Sequence, residues 1–231
     1  MHLTGRGLSD LLHLFYPHNC EGCGTDRVLQ DQLLCAKCRQ QLPATGFFGI
    51  ADNPVERIFY GRCRVAAAAS LYYFTKHSLL QHILVQLKYR GNRDAGTYLG
   101  RMMGHALRNT SRFAGVDMLI PLPLNEQKEY RRGYNQSAVI AHAIAGVWHK
   151  KVVTDAVTRN RFTETQTHRN RIGRWQNMQD VFDVTNAAVL ANKHILLIDD
   201  VVTTGATLEA CGSAILRAGA ILSIATAAYT N

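Results

Sequence analysis

The sequence predicts an α/β domain, a mostly parallel sheet flanked by helices, preceded by a small cysteine-bound module. Three observations carry this expectation. From Val65 onward, short apolar runs alternate with stretches whose apolar residues recur at helical spacing, which is how strands joined by crossover helices read. One apolar run, His194–Val202, meets two adjacent acids and then opens into a helix. Residues 17–45 hold four of the six cysteines and little apolar mass.

Taken in order, Val65–Phe74 reads as a strand with Ala-rich and aromatic positions. Ser78–Lys88 reads as a helix, since Leu79, Leu80, Ile83, Leu84 and Leu87 share a face. A second helix spans about Ala95–Leu107. Asp117–Ile120 is a short buried strand that stops at Pro121. Asn135–Trp148 is a helix with Val139, Ile140, Ala143, Ile144 and Val147 in register. Val152–Val157 reads as a strand. Residues 159–178 are polar, Arg-rich and without period, and long loops in compact domains are functional or disordered. Val181–Val184, His194–Val202 and Ile221–Tyr229 complete the strands, and a helix runs from Gly205 to Arg217. The boundaries that follow are residues 1–45 for an N-terminal helix and the cysteine module, 46–64 for an irregular connector, and 65–231 for the α/β domain.

The chain has 231 residues, 47% hydrophobic and 19% charged, a globular composition that excludes disordered and fibrous classes. Its net charge of +9 suits an anionic ligand, whether a phosphorylated metabolite, a nucleic acid or a membrane surface, and equally suits plain solubility. No stretch reaches the ~18 consecutive apolar residues of a membrane span. The N-terminus lacks the pattern of a signal peptide; Leu8, Leu11, Leu12 and Phe15 fit one face of a short helix that docks on a neighbouring domain. The expected location is the cytoplasm, where thiols stay reduced, so the cysteines point to metal before disulfides.

Cys20, Cys23, Cys35 and Cys38 form two CxxC pairs, CEGC and CAKC. Two residues between the members let both thiolates of a knuckle face one ion, and four such ligands complete the tetrahedron that Zn²⁺ favours. Gly22 and Gly24 are expected to ease the turn. The competing reading is a pair of redox-active dithiols. A four-thiolate site has no open position for substrate, so this zinc is structural. Cys63 and Cys211 are isolated, and Cys211 falls within a helix as a small hydrophobe.

The most informative stretch is HILLIDDVVTTGATLEA, residues 194–210. In parallel sheets, ligands bind at the carboxyl ends of strands. There Asp199 and Asp200 can accept hydrogen bonds from a pair of sugar hydroxyls. Val201 leads into Thr203, Thr204, Gly205, Ala206 and Thr207, whose hydroxyls and backbone amides at a helix start form an anion hole suited to a terminal phosphate. GKS, GKT and GxGxxG are all absent, which excludes a Walker A loop and a dinucleotide fingerprint. A metal or phosphotransfer site is the alternative for an acid pair after a strand.

This string resembles the motif by which type I phosphoribosyltransferases bind 5-phosphoribosyl-1-pyrophosphate (PRPP). The resemblance implies that Asp199 and Asp200 hold the ribose 2′- and 3′-hydroxyls and that Thr203–Thr207 hold the 5-phosphate. LKYRGN (87–92), LIPLPLNEQKEYRRGYNQS (119–137) and a loop with Gln166, Arg169, Arg174 and Asn177 extend the likeness. In this order, with a zinc module in front, the motifs resemble the ComF family, named for competence protein F. Many members carry two zinc ribbons, whereas the cysteines here suffice for one.

The resemblance implies a type I phosphoribosyltransferase fold with a small N-terminal zinc ribbon, and a pyrophosphate-holding loop at Pro121 and Leu122. Arg132 and Lys88 are candidate PRPP contacts, by the affinity of arginine forks for phosphate and, for Lys88, against simple helix capping. Gln166, Arg169 and Arg174 belong to a loop that closes over the reacting centre, and with Asp199 and Asp200 they are the candidate catalytic residues. The implied reaction is displacement of pyrophosphate at ribose C1, with Mg²⁺ accompanying PRPP and an acceptor that nothing in the chain identifies. The alternative is a PRPP-binding protein that handles DNA, with single-stranded DNA and other competence proteins as partners.

Overall fold

The computed structural model describes residues 19–29, 32–159 and 181–230. The helix expected around Leu8–Phe15 lies outside them, as do Gln166, Arg169 and Arg174.

In chain order, the short α1 (Ala36–Gln40) belongs to the cysteine module and α2 (Pro54–Arg57) to the connector. The α/β domain starts with β1 (Ala67–Phe74), then α3 (Leu79–Tyr89) and α4 (Arg93–Arg108). Both helices start at a side-chain cap, with Ser78 accepting from the amide of Gln81 and Asn92 from that of Ala95. Next come β2 (Met118–Pro121), α5 (Glu126–Arg132), α6 (Gln136–Trp148) and β3 (Lys151–Val152). β4 (Val157–Arg159) and β5 (Phe182–Val184) pair antiparallel on their own. The chain closes with α7 (Ala187–Leu190), β6 (His194–Val202), α8 (Ala206–Arg217) and β7 (Ile221–Thr230).

Among the described residues the main sheet has five parallel strands in the order β1-β7-β6-β2-β3. Its centre is apolar on both faces: Leu119, Ile120, Ile195, Leu196, Leu197, Ile198, Ile224 and Ala225 are all buried, the signature of strands covered by helices on both sides. α4 and α6 pack so closely that a Cβ at Gly100 would stand 2.4 Å from the Ile140 carbonyl oxygen; only glycine fits there.

The order of the strands locates the site. The chain moves from β2 through α6 to β3 in one direction across the sheet, and from β6 through α8 to β7 in the other. Right-handed crossovers then put α6 and α8 on opposite faces. β2 and β6 are neighbours, so a crevice opens between their carboxyl ends, at the switch point where open parallel sheets bind ligands. Asp199 and Asp200 end one side of it, and Pro121 and Leu122 the other.

Two expectations need correction. The strand expected over Val152–Val157 is two strands: Lys151–Val152 pairs with Met118–Leu119, the chain bends, and Val157–Arg159 leaves to pair with Phe182–Val184. A run of apolar residues does not show which partner each half will take. The connector, expected to be irregular, is ordered and part of the core. Phe47, Phe48, Val55 and Phe59 are buried. Asn53 caps α2 by accepting from the amides of Val55 and Glu56, and donates to the carbonyls of Ile50 and Ala68. Glu56 accepts from the Ala68 amide and pairs with Arg112.

Candidate functional site

At the end of β6, Asp199 Oδ1 accepts from Ser137 Oγ at 2.9 Å and from the Asp200 amide at 2.8 Å. Asp200 is buried, and its Oδ1 lies 2.9 Å from Lys88 Nζ. Lys88 comes from the last turn of α3 and Ser137 from the first turn of α6, so the helices that cover the sheet deliver one partner to each acid. Burial, joined by the charge of Asp200, pushes the Asp199 carboxyl up to about 7, against the opposing pull of the Asp200 amide, Ser137 and Lys88. A carboxyl poised near neutrality beside a crevice is the kind of group that functional sites contain.

Past Val202 the chain turns through Thr203 and Thr204, both exposed, to Gly205 at φ +73°, the left-handed region where a side chain is strained. α8 begins at Ala206 with no side-chain cap. The amides of its first turn are therefore open to an external acceptor, with the positive end of the helix dipole behind them. The side of the turn away from solvent rests on the connector: a Cβ on Gly205 would meet Ile58 at 2.6 Å and Phe59 at 3.1 Å.

Across the crevice, the Leu122 amide donates to the Ile198 carbonyl, and Asn135 Nδ2 donates to the Leu122 carbonyl. These bonds tie the loop after β2 to β6 on one side and to the start of α6 on the other. Arg132 donates to Gln136 Oε1 at 2.6 Å and its guanidinium lies 5.4 Å from the Tyr89 ring centroid. Lys88, Tyr89, Gly91, Arg131 and Arg132 line a cavity of about 440 Å³. A second, of about 500 Å³, has Pro121, Pro123, Leu124, Asn135 and Arg159 in its walls. The fold thus sets Lys88 and Ser137 against the acid pair and ties Leu122 to the end of β6, with Arg132 beside Lys88 in one cavity and the 203–207 turn directly after the acids. Ser137, which sequence reasoning passed over although it closes the RGYNQS motif, is the partner it missed.

In the N-terminal module the Sγ atoms of Cys20, Cys23, Cys35 and Cys38 all lie within 4.8 Å of one another. Cys23 and Cys35 sulfurs are 3.8 Å apart, and a tetrahedron with Zn–S bonds of about 2.3 Å has edges of about 3.8 Å. The Gly22 and Cys35 amides point at Cys20 Sγ, at 3.4 and 3.2 Å. Burial raises the Cys20 thiol, but the amides of Cys35, Cys23 and Gly22 outweigh it and hold the group at about 6. At Cys38, burial and the three neighbouring thiols act together and push the thiol up to about 12. The donor set fits a structural Zn²⁺. Gly24 does adopt φ +72°, but Gly22 serves space instead, since a Cβ there would stand 2.8 Å from Cys38 Sγ. Cys211 is fully buried.

A parallel sheet ending in this acid pair and uncapped helix-start turn defines the class of protein. Residues 134–231 match the phosphoribosyl transferase domain, and residues 11–48 match the double zinc ribbon domain. Within that class the chain is similar to proteins named for competence and DNA utilization. It is 24% identical to competence protein F of Haemophilus influenzae over 223 residues, covering 89% of this chain and 93% of the relative. It is 29% identical to DNA utilization protein YhgH of Escherichia coli O157:H7 over 201 residues, 82% of this chain and 81% of that one. It is 25% identical to competence protein ComFC of Bacillus subtilis, covering 66% of this chain and 60% of the relative. Among solved structures, the glutamine PRPP amidotransferase from B. subtilis overlaps 62% of this chain and 30% of its own length, at 16% identity and a TM-score of 0.45. No helix of the described residues is long and apolar enough to cross a membrane.

Proposed function

We propose that the crevice between β2 and β6 binds PRPP and that the protein transfers its phosphoribosyl group to an acceptor still to be identified, releasing pyrophosphate. The observation that carries this is the juxtaposition, within nine residues of β6 and its turn, of two adjacent acids, Asp199 half-buried and Asp200 buried, and an uncapped helix start. Asp199 and Asp200 would accept from the two ribose hydroxyls, Asp200 exchanging Lys88 for the sugar. Thr203, Thr204, Gly205, Ala206 and Thr207, following Val201, would hold the 5-phosphate. Pro121, Leu122, Arg132 and the released Lys88 would face the pyrophosphate.

In the reaction, the bond from ribose C1 to the pyrophosphate oxygen breaks and the oxygen leaves with the electron pair, while the acceptor's nucleophile bonds C1. Positive charge grows on the ribose, where the two carboxylates stabilise it. Mg²⁺ accompanying PRPP would supply charge neutralisation at the leaving group. Gln166, Arg169 and Arg174 belong to the segment between β4 and β5, and we assign them to closure over the reacting centre. Four thiolates kept as metal ligands suit the reducing cytoplasm.

Titration calorimetry with PRPP and Mg²⁺ tests the site. Replacing Asp199→Asn and Asp200→Asn together removes two charged acceptors, and affinity is expected to fall about a hundredfold. Unchanged affinity in the folded double variant refutes the assignment.

A second reading, DNA handling with little or no transferase activity, has its own observation. Tyr89 and Tyr130 are 70% and 93% exposed and stand among Lys128, Arg131 and Arg132, a pairing of aromatic faces and cations suited to single-stranded nucleic acid. The relatives named for competence and DNA utilization support this reading, and other competence proteins would then be partners.

A further inference from the structure

The phosphate turn does not stand alone. Arg62, from the connector, spans 142 residues of sequence to donate from Nη1 to the Thr204 carbonyl at 2.8 Å. The same nitrogen donates to the Ile58 carbonyl at 3.1 Å, and Nη2 pairs with Glu209 in the first turn of α8. Ile58 and Phe59 pack where a Gly205 Cβ would be. The guanidinium is thus committed to the protein on both arms and its charge is matched by Glu209.

A trans peptide is planar, with its carbonyl and its N–H pointing in opposite directions. Holding the Thr204 carbonyl toward the connector therefore turns the Gly205 N–H away from it, toward the open side of the turn. If that peptide flipped, a carbonyl oxygen would face an incoming phosphate in place of an N–H donor. Gly205, with no Cβ to resist, is the residue at which such a flip is easiest.

We propose that Arg62 is a positioning residue for the phosphate turn: it locks the Thr204–Gly205 peptide in the orientation that presents an amide donor to the anion. This rests on the reading of the turn as a phosphate site, and it assigns to the connector a part in ligand binding without any contact to the ligand. An ordinary exposed ion pair between Arg62 and Glu209 would have no such effect.

The test compares Arg62→Gln and Arg62→Lys with Arg57→Gln, a control that removes an exposed ion pair with Asp52 from the same connector. Three quantities are read: the assigned amide resonance of Gly205 without ligand, affinity for PRPP with Mg²⁺, and affinity for inorganic phosphate. In Arg62→Gln the Gly205 resonance is expected to move and both affinities to weaken about tenfold, the loss of one charge-assisted bond's worth of order. Arg62→Lys, which can still donate to Thr204, should recover most of the affinity, and Arg57→Gln should resemble the parent. A Gly205 resonance and affinities unchanged in Arg62→Gln, or equal losses in Arg57→Gln, overturn the proposal. If the parent binds neither PRPP nor phosphate, the PRPP reading fails by itself, and the Gly205 resonance still decides whether Arg62 holds the peptide.

Discussion

Asp199 sits where burial and a like-charged neighbour act in the same direction. Its carboxyl ordinarily titrates at 3.8 and here at about 7, so the fold holds its proton more tightly than the unfolded chain does. The stability this contributes is complete below about pH 4 and is lost as pH rises through about 7. Near neutrality the protein carries that cost to keep a carboxyl at the edge of the crevice, a common trade at functional sites. Asparagine mimics the protonated acid and can still accept from Ser137. Asp199→Asn is therefore expected to be more stable than the parent at pH 8, with the advantage shrinking towards pH 4. Thermal unfolding across that range checks it, and a difference independent of pH would show that ionisation is not its source.

At the scale of elements, the cysteine module is joined to the α/β domain by more than its chain. Residues 43–45 run along the outer edge of β1: Tyr73 donates to the Pro43 carbonyl, the Thr45 amide to that of Leu71, and Ala44 bridges Tyr72. This covers an edge that would otherwise present unpaired backbone groups. On the other side Glu21, within the first CxxC pair, accepts from Asn92, the cap of α4, at 3.2 Å. The metal site thus orders a knuckle that abuts the helix layer carrying Lys88. One zinc per chain is expected by elemental analysis, and close to none after Cys20→Ser with Cys38→Ser. Zinc retained by that double variant would mean that other ligands hold it.

For the whole molecule, the net charge of +9 is unevenly spread. Lys128, Arg131 and Arg132 lie on and beside α5 and Arg159 ends β4, while in the cysteine module Arg27, Lys37 and Arg39 are offset by Glu21, Asp26 and Asp31. Four thiolates on one Zn²⁺ add about two negative charges to that module. Any polyanion is therefore drawn to the crevice side, where PRPP would also bind. Single-stranded DNA and PRPP are expected to compete, and DNA affinity should fall steeply as salt rises. Fluorescence anisotropy with and without saturating PRPP measures this. Salt-sensitive DNA binding that ignores PRPP would separate the two sites, and no binding at low salt would leave phosphoribosyl transfer as the function.

Local chemistry made much of this protein legible in its sequence. The CxxC spacing brought four thiols into one cluster, because two intervening residues leave a knuckle little choice. The ILLI run could only be a covered strand, and an acid pair followed by TTGAT could only be the polar end of it. Periodicity found α3, α4 and α6 to within a few residues, since each buries one apolar face. What the tertiary structure decided was pairing across distance. Nothing in Val152–Val157 says that its halves join different sheets, because both are equally apolar. Lys88 reads as a helix-terminal cation until the fold sets it against Asp200, and Ser137 reads as a helix-start hydroxyl until it meets Asp199. The connector, irregular and rich in Gly, Asn and Phe by composition, proved to be a packed support for the 203–207 turn, with Arg62 reaching Thr204 across 142 residues. Sequence carries the preferences of neighbours along the chain; contacts between distant segments depend on how strands order in the sheet, and that order arises only when the whole core closes.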